Sequence, residues 1–444
     1  MKTMVCERLA ITLLSVTLLG RPGAALAQFI QQGPKLVGTG SAGAGQSPSA
    51  LSADGNTAML GGPLLGSADF GAAWIFTRSG GAWSQQGGHL VGADAVGIAA
   101  QGTSVALSGD GNTAILAGPG DSDVTGAIWI FVRSGGIWSQ QGNKLVGTGT
   151  IGAADLGYSV ALSADGNTAI AGGPFDNSNV GAAWVFTRSG GVWNQQGSKL
   201  VGFGAVGSFL QQGVSVAISA DGNTAIVGGN GDSAGTGAAW IYTRSGEVWS
   251  QQGKLAGTGG IGMPNQGWSV SLSGDGNTAL LGGPYDNSGT GATWVFTRSG
   301  GIWSQQGIKL VGRGAVGAAN QGWSVALSGD GNLAIASGFT DDSDAGAVWV
   351  FARNEGVWSQ RGSKLRGTGT VLAAPAQGAS VALSADGSTV MIGGPGDNSE
   401  TGAAWIFAAS SADVPTLSLS GLVLLLLLLG TAGWVRVRRA RARL

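Results

Sequence analysis

The tripeptide Asp-Gly-Asn recurs at Asp54, Asp110, Asp165, Asp221, Asp275 and Asp330, and Asp386-Gly387-Ser388 is a seventh copy. The intervals are 56, 55, 56, 54, 55 and 56 residues. So narrow a spread makes each interval one supersecondary unit. In the third, "YSVALS", "TAIAGGP", "GAAWVFT" and "VWNQQGSKLVG" are separated by "ADGN", "FDNSNV" and "RSGG". Apolar runs rich in Val, Ile, Trp and Phe between such turn signals predict four antiparallel strands in a meander. Asp-Gly and Ser-Gly-Gly favour tight hairpins because their residues tolerate positive φ.

A four-stranded sheet of this size cannot cover both of its faces alone, so the seven must pack against one another. Radial packing of seven such sheets predicts an all-β, seven-bladed β-propeller. A stacked solenoid is the rival, but its repeats are shorter and lack two full hairpins. The seventh unit stops at Phe407 without the "WSQQGxKLVG" strand, while "QFIQQGPKLVG" stands at 28–38. The N-terminal segment therefore supplies the outer strand of the last blade and closes the ring.

Both ends lie outside the repeats. Residues 1–27 combine Lys2 and Arg8, the apolar run "LAITLLSVTLLG" and Ala25-Leu26-Ala27, the pattern of a secretory signal cut before Gln28. Cys6, the one cysteine, leaves with it, which excludes disulfides, thiol catalysis and cysteine metal sites in the mature chain. The propeller is expected over 28–407, a linker and sorting motif over 408–416, a transmembrane helix over 417–435 and a basic cytoplasmic tail over 436–444. Eight consecutive Leu/Val residues followed by Arg436, Arg438, Arg439, Arg441 and Arg443 place the tail inside and everything before the helix outside.

The C-terminal 30 residues or so resemble the IPTL-CTERM sorting signal of Gram-negative bacteria. Val414, Pro415 and Thr416, with Leu417, supply the motif, with Val for the usual first Ile, and "SLSG" departs from the family's acidic residue and Trp. The resemblance implies processing by an exosortase-type membrane enzyme, with the protein either anchored in the inner membrane facing the periplasm or cut and sorted to the cell surface.

The repeats resemble FG-GAP units of integrin-α-like propellers, especially the bacterial exported ones. Gly61-Gly62-Pro63, Gly172-Gly173-Pro174, Gly282-Gly283-Pro284 and Gly393-Gly394-Pro395 match the "GAP" element, and "GAAWVF" the strand after it. The "FG" element survives only as the Gly of "QGWSV". That family's calcium loops carry alternating acidic residues, whereas "SADGNTA" offers one Asp, too few for six to eight oxygen ligands. No calcium, other metal or cofactor is expected.

Residues 28–413 hold 15 Lys/Arg and 23 Asp/Glu, a net charge near −8, so no basic face exists for nucleic acid. His89, the one histidine, stands where other copies have Lys144, Lys199, Lys254, Lys309 and Lys364, and reads as an exposed edge residue. Arg78, Arg133, Arg188, Arg244, Arg298 and Arg353 read as a ring of turn residues. Two tryptophan sets, Trp74 to Trp405 in the third strand and Trp83 to Trp358 in the fourth, read as packing between blades.

Two groups are candidates for binding. Tyr158, Trp268 and Trp323 replace smaller residues such as Thr103 and Ala379 just before the inner strand, near the channel mouth, where a ring stacks on a sugar or simply packs. Asp121, Asp176, Asp232, Asp286, Asp342 and Asp397, with Asp69, Asp123, Asp341 and Asp344, lie in the variable loops between the second and third strands and are expected to form a solvated acidic rim. The acidic residues follow the repeat rather than forming one asymmetric pair, and general bases are scarce. The expectation is a non-catalytic exported propeller with an interaction, adhesion or structural surface role and a protein or glycan ligand. A propeller enzyme acting on extracellular glycans is the alternative.

Overall fold

Seven four-stranded antiparallel sheets follow one another along the chain in the computed structural model, which describes residues 28–41, 44–65, 70–371 and 374–410. The protein is a seven-bladed β-propeller, and Phe29–Ala409 forms one compact unit. The third blade shows the plan: inner strand Ser159–Leu162, then Thr168–Gly173, Ala182–Ser189 and the outer Val192–Gln195. Among the described residues no helix is long and apolar enough to cross a membrane. The signal segment, Val414, Pro415 and Thr416, the expected helix and the tail lie outside them.

The last blade is completed by the N-terminus. Phe29–Gln31 pairs antiparallel with Ala403–Ala409, with Phe29 opposite Ala409, Ile30 opposite Ala408 and Gln31 opposite Phe407. The Gln32 N–H donates to the Ile406 carbonyl at 2.7 Å, and Leu36 and Ala404 exchange backbone bonds at 2.7 and 3.0 Å. The edge that the seventh repeat leaves open is thus covered, as an exposed strand edge requires.

The two turn types differ from one another. At Ser-Gly-Gly both glycines are left-handed, Gly80 at φ 57° and Gly81 at φ 83°, which makes a two-residue hairpin. At Asp-Gly-Asn only the glycine is left-handed, Gly55 at φ 63°, and the loop is longer than the expected tight turn because Asp54 organises it. Its carboxylate accepts the Ser52 hydroxyl at 2.6 Å, the Asn56 N–H at 2.9 Å and the Asn56 amide at 2.8 Å. Partial burial pushes that carboxyl up, but these bonds outweigh it and hold the group below its ordinary range.

Each core cluster spans two neighbouring blades. Around Trp74, for example, Leu60 and Phe76 of the first blade meet Met391, Ala404 and Ile406 of the seventh. All seven third-strand tryptophans have 0 % exposure. Truncating a core Trp of this kind costs about 3–5 kcal/mol. The "KLVG" glycine is fixed by the same ring: a Cβ on Gly38 would lie 2.4 Å from the Trp74 indole, and on Gly367 2.1 Å from that of Trp405.

The fourth-strand tryptophans and the arginines form a second layer of blade-to-blade ties. Arg133 donates to Asn112 of its own blade at 2.9 Å, and to Gln86 at 3.1 Å and Thr57 at 3.3 Å in the preceding one. It also lies 5.3 Å over the Trp138 ring, whose N–H shares Gln86. Equivalent clamps join six of the seven interfaces, including Arg78 to Gln32 and Thr389 across the closure. The arginines are therefore ties between blades rather than simple turn residues. The remaining interface, between blades six and seven, has Ala409 in place of the arginine, Arg361 in place of the glutamine and Leu333 in place of the threonine. There Arg361 lies 5.5 Å over the Phe29 ring. The cation has moved to the other side of the interface, and the aromatic partner remains.

Candidate functional site

The inner strands surround a central cavity of about 620 Å³. Its wall is stitched by serines between blades. Ser159 and Ser269 donate to the carbonyls of Gly213 and Gly322, both at 2.8 Å, while the N–H groups of Val160, Val270 and Val381 donate to Ser104, Ser215 and Ser324. These bonds consume the backbone N–H groups of Val160, Val270 and Val381 on this edge.

Tyr158, Trp268 and Trp323 all line this cavity, as the position before the inner strand predicts. The same place in the other blades holds Pro48, Thr103, Val214 and Ala379. The second ring of each aromatic pair follows or replaces the proline of Gly-Gly-Pro, and sequence reading missed it. Phe175 stands 6.0 Å from Tyr158, Tyr285 stands 5.6 Å from Trp268, and Phe339 stands 4.4 Å from Trp323. Trp268 and Trp323 are 4.7 Å apart, so blades five and six share one continuous aromatic wall. The signal was present in the sequence: Gly120, Gly231 and Gly396 occupy the places where Phe175 and Tyr285 stand.

The acidic loops correct the expected solvated rim in part: Asp123, Asp342 and Asp344 are exposed, but one aspartate in each fully described loop is buried. Asp121, Asp176, Asp232, Asp286 and Asp397 are buried at 0–1 % exposure. Asp176 accepts the Ile151 N–H at 2.7 Å on one oxygen and the Lys199 ammonium at 2.5 Å on the other. The other copies repeat this, with Lys144, Lys254, Lys309 and Lys35 as partners. In blade six the equivalent residue is Asp341, paired with Lys364 at 2.5 Å; Asp342 is exposed and binds Arg366 at 2.9 Å. These carboxylates tie the loop to the incoming blade connection and to the outer strand. Both of their oxygens are engaged, which removes them as ligand contacts.

The loops need that tie. Asn177, Ser178 and Asn179 have φ of 51°, 58° and 72°, a left-handed turn built without glycine. Such residues cost roughly 1–2 kcal/mol each. Two charge-assisted bonds to a buried carboxylate, at about 1.5–3 kcal/mol apiece, offset that. His89 is exposed, as expected, and its ring lies 5.9 Å from Trp74; Asp69 lies outside the described residues.

Asp155 stands three residues before Tyr158, half-buried and at φ 53°. Its carboxylate has no hydrogen-bond partner among the described residues, and burial pushes it up to about 6. Burial and then the Asp155 charge raise Tyr158 above the ordinary phenol range. No group of three His, Cys, Asp or Glu side chains placed to hold a metal occurs among the described residues.

The blade connections expose apolar residues on the same rim, including Ile151, Val206, Ile261 and Val316, each more than half exposed. An aromatic mouth flanked by exposed apolar side chains can stack and desolvate a partner. Compared with known proteins, the chain matches no family model and no curated protein.

Proposed function

We propose that this chain is an exported FG-GAP-type propeller that works by binding rather than by catalysis, with the channel mouth and the exposed apolar residues around it as the interaction face. The signal-like start and the arginine-flanked apolar tail support export and a hold on the inner membrane, with exosortase-type release to the cell surface as the reading of Val414, Pro415 and Thr416. The observation that carries the binding role is the division of labour among side chains. The repeated carboxylates, lysines and arginines are spent on ties within and between blades, while the residues lining the described cavity are uncharged and include three aromatics that packing does not require.

The enzyme alternative rests on Asp155, whose carboxyl at about 6 suits a general acid near neutral pH. A glycosidase needs a second carboxylate roughly 5–9.5 Å away across the bond, and the described lining offers none. The test is capture from envelope extracts by the full chain and by its Trp323→Ala variant, run beside a broad hydrolase and lyase screen. Capture lost with Trp323 supports the binding face; turnover by the wild type overturns the non-catalytic role.

A further inference from the structure

We propose that the channel mouth is a site for an uncharged saccharide chain, which stacks on Trp268 and Trp323 and enters the cavity end-on. The proposal rests on the binding role given above and names the ligand class of the same face. Its first support is that the aromatics are dispensable to the fold. Their position accepts Pro48, Thr103, Val214 and Ala379 in other blades, and both rings keep partial exposure, whereas every third-strand tryptophan is fully buried. A large ring left accessible where a methyl group suffices is a contact surface.

The second support is charge. The described residues lining the cavity carry none, so a phosphate or carboxylate entering it is desolvated without a partner, at a cost of several kcal/mol. The third is that the inner-strand backbone is spent in three of the blades. An extended peptide is held chiefly by main-chain bonds to a strand edge, but the N–H groups of Val160, Val270 and Val381 are already taken by serines. A sugar needs no strand edge: its C–H face covers the indoles, and its hydroxyls meet Tyr158 and Thr103 around the mouth. The cavity, at about 620 Å³, lies within the range of ligand sites, about 300–1,000 Å³.

The test uses the full chain in detergent, titrated by calorimetry and tryptophan fluorescence with neutral hexasaccharides: β-1,4- and α-1,4-linked glucose and a mannan fragment. An alginate hexamer and a proline-rich peptide run in parallel. At least one neutral hexasaccharide is expected to bind saturably. Trp268→Ala and Trp323→Ala should each weaken it about tenfold or more, and Trp268→Tyr should restore much of the loss. Both alanine variants should melt as the wild type does, since Ala379 already occupies this place. Preference for alginate, Trp-dependent binding of the proline-rich peptide, or no neutral saccharide bound at millimolar concentration overturns the proposal. If Trp268→Ala instead abolishes capture of a protein partner, the saccharide fails while the binding role stands. If the bound hexasaccharide is shortened on incubation, the site stands and the non-catalytic role fails.

Discussion

Asp155 is where residue chemistry departs furthest from the repeat. The corresponding places in blades five and six hold Asn265 and Asn320, also left-handed at φ 58° and 54°, which keep the shape without the charge. Because the Asp155 carboxyl rises from 3.8 to about 6 in the folded chain, the native state binds more protons than the unfolded state between those values. Stability therefore falls as pH rises through that window. The full shift corresponds to about 3 kcal/mol, and partial exposure reduces it to about 1 kcal/mol. Asp155→Asn should raise stability at pH 8 by about that amount, with the gain shrinking toward zero below pH 4. Urea unfolding across this range checks it; a gain independent of pH would assign the effect to the left-handed preference of Asn alone.

Within a blade, the element that most needs explanation is the left-handed loop and the buried pair beneath it. Removing one partner of a buried ion pair strands the other, at about 3–5 kcal/mol. Asp286→Ala should therefore cost about 3 kcal/mol, and the double change Asp286→Asn with Lys309→Met clearly less. A loss below about 0.5 kcal/mol for the single change, measured by denaturant unfolding, would put the carboxylate back at the surface. The strands were legible because period-two patterning and turn residues are local signals. The pair was not, because repetition shows that a residue matters without showing what it touches. The available hint was an offset of 23 residues that recurs in four blades, as in Asp176 to Lys199 and Asp286 to Lys309. Blade four makes the same point in reverse. Its "WSQQGKL" is one residue shorter, and the outer strand, bent elsewhere, runs unbroken over Val248–Leu255 with one bulge opposite Ile241 and Tyr242.

The arginine clamps around the ring are periodic except at the interface between blades six and seven, where Arg361, Leu333, Ala409 and Phe29 replace the usual Gln, Thr, Arg and Trp. The exchange is reciprocal, so Ala409→Arg alone should crowd two guanidinium groups and destabilise the chain by about 1–2 kcal/mol. Adding Arg361→Gln should recover most of that. A fully additive loss in the double variant would show the two positions to be independent. Blade number and closure were readable from the broken seventh repeat. The aromatic wall was readable only in part: Tyr158, Trp268 and Trp323 stand out against their own copies, and Phe175 and Tyr285 stand where other copies have glycine, but a departure from the repeat does not show that the two rings meet.

Closure by the N-terminal strand carries the whole account, and a cross-link tests it most directly. Ile30 lies directly opposite Ala408, a hydrogen-bonded antiparallel pair whose Cα atoms stand about 5.5 Å apart, within disulfide range. In a Cys6→Ser background, Ile30→Cys with Ala408→Cys should oxidise within one chain, and non-reducing electrophoresis should show a faster band that disappears with reductant. Recovery of the pair only as free thiols or as intermolecular dimers would contradict the closed ring.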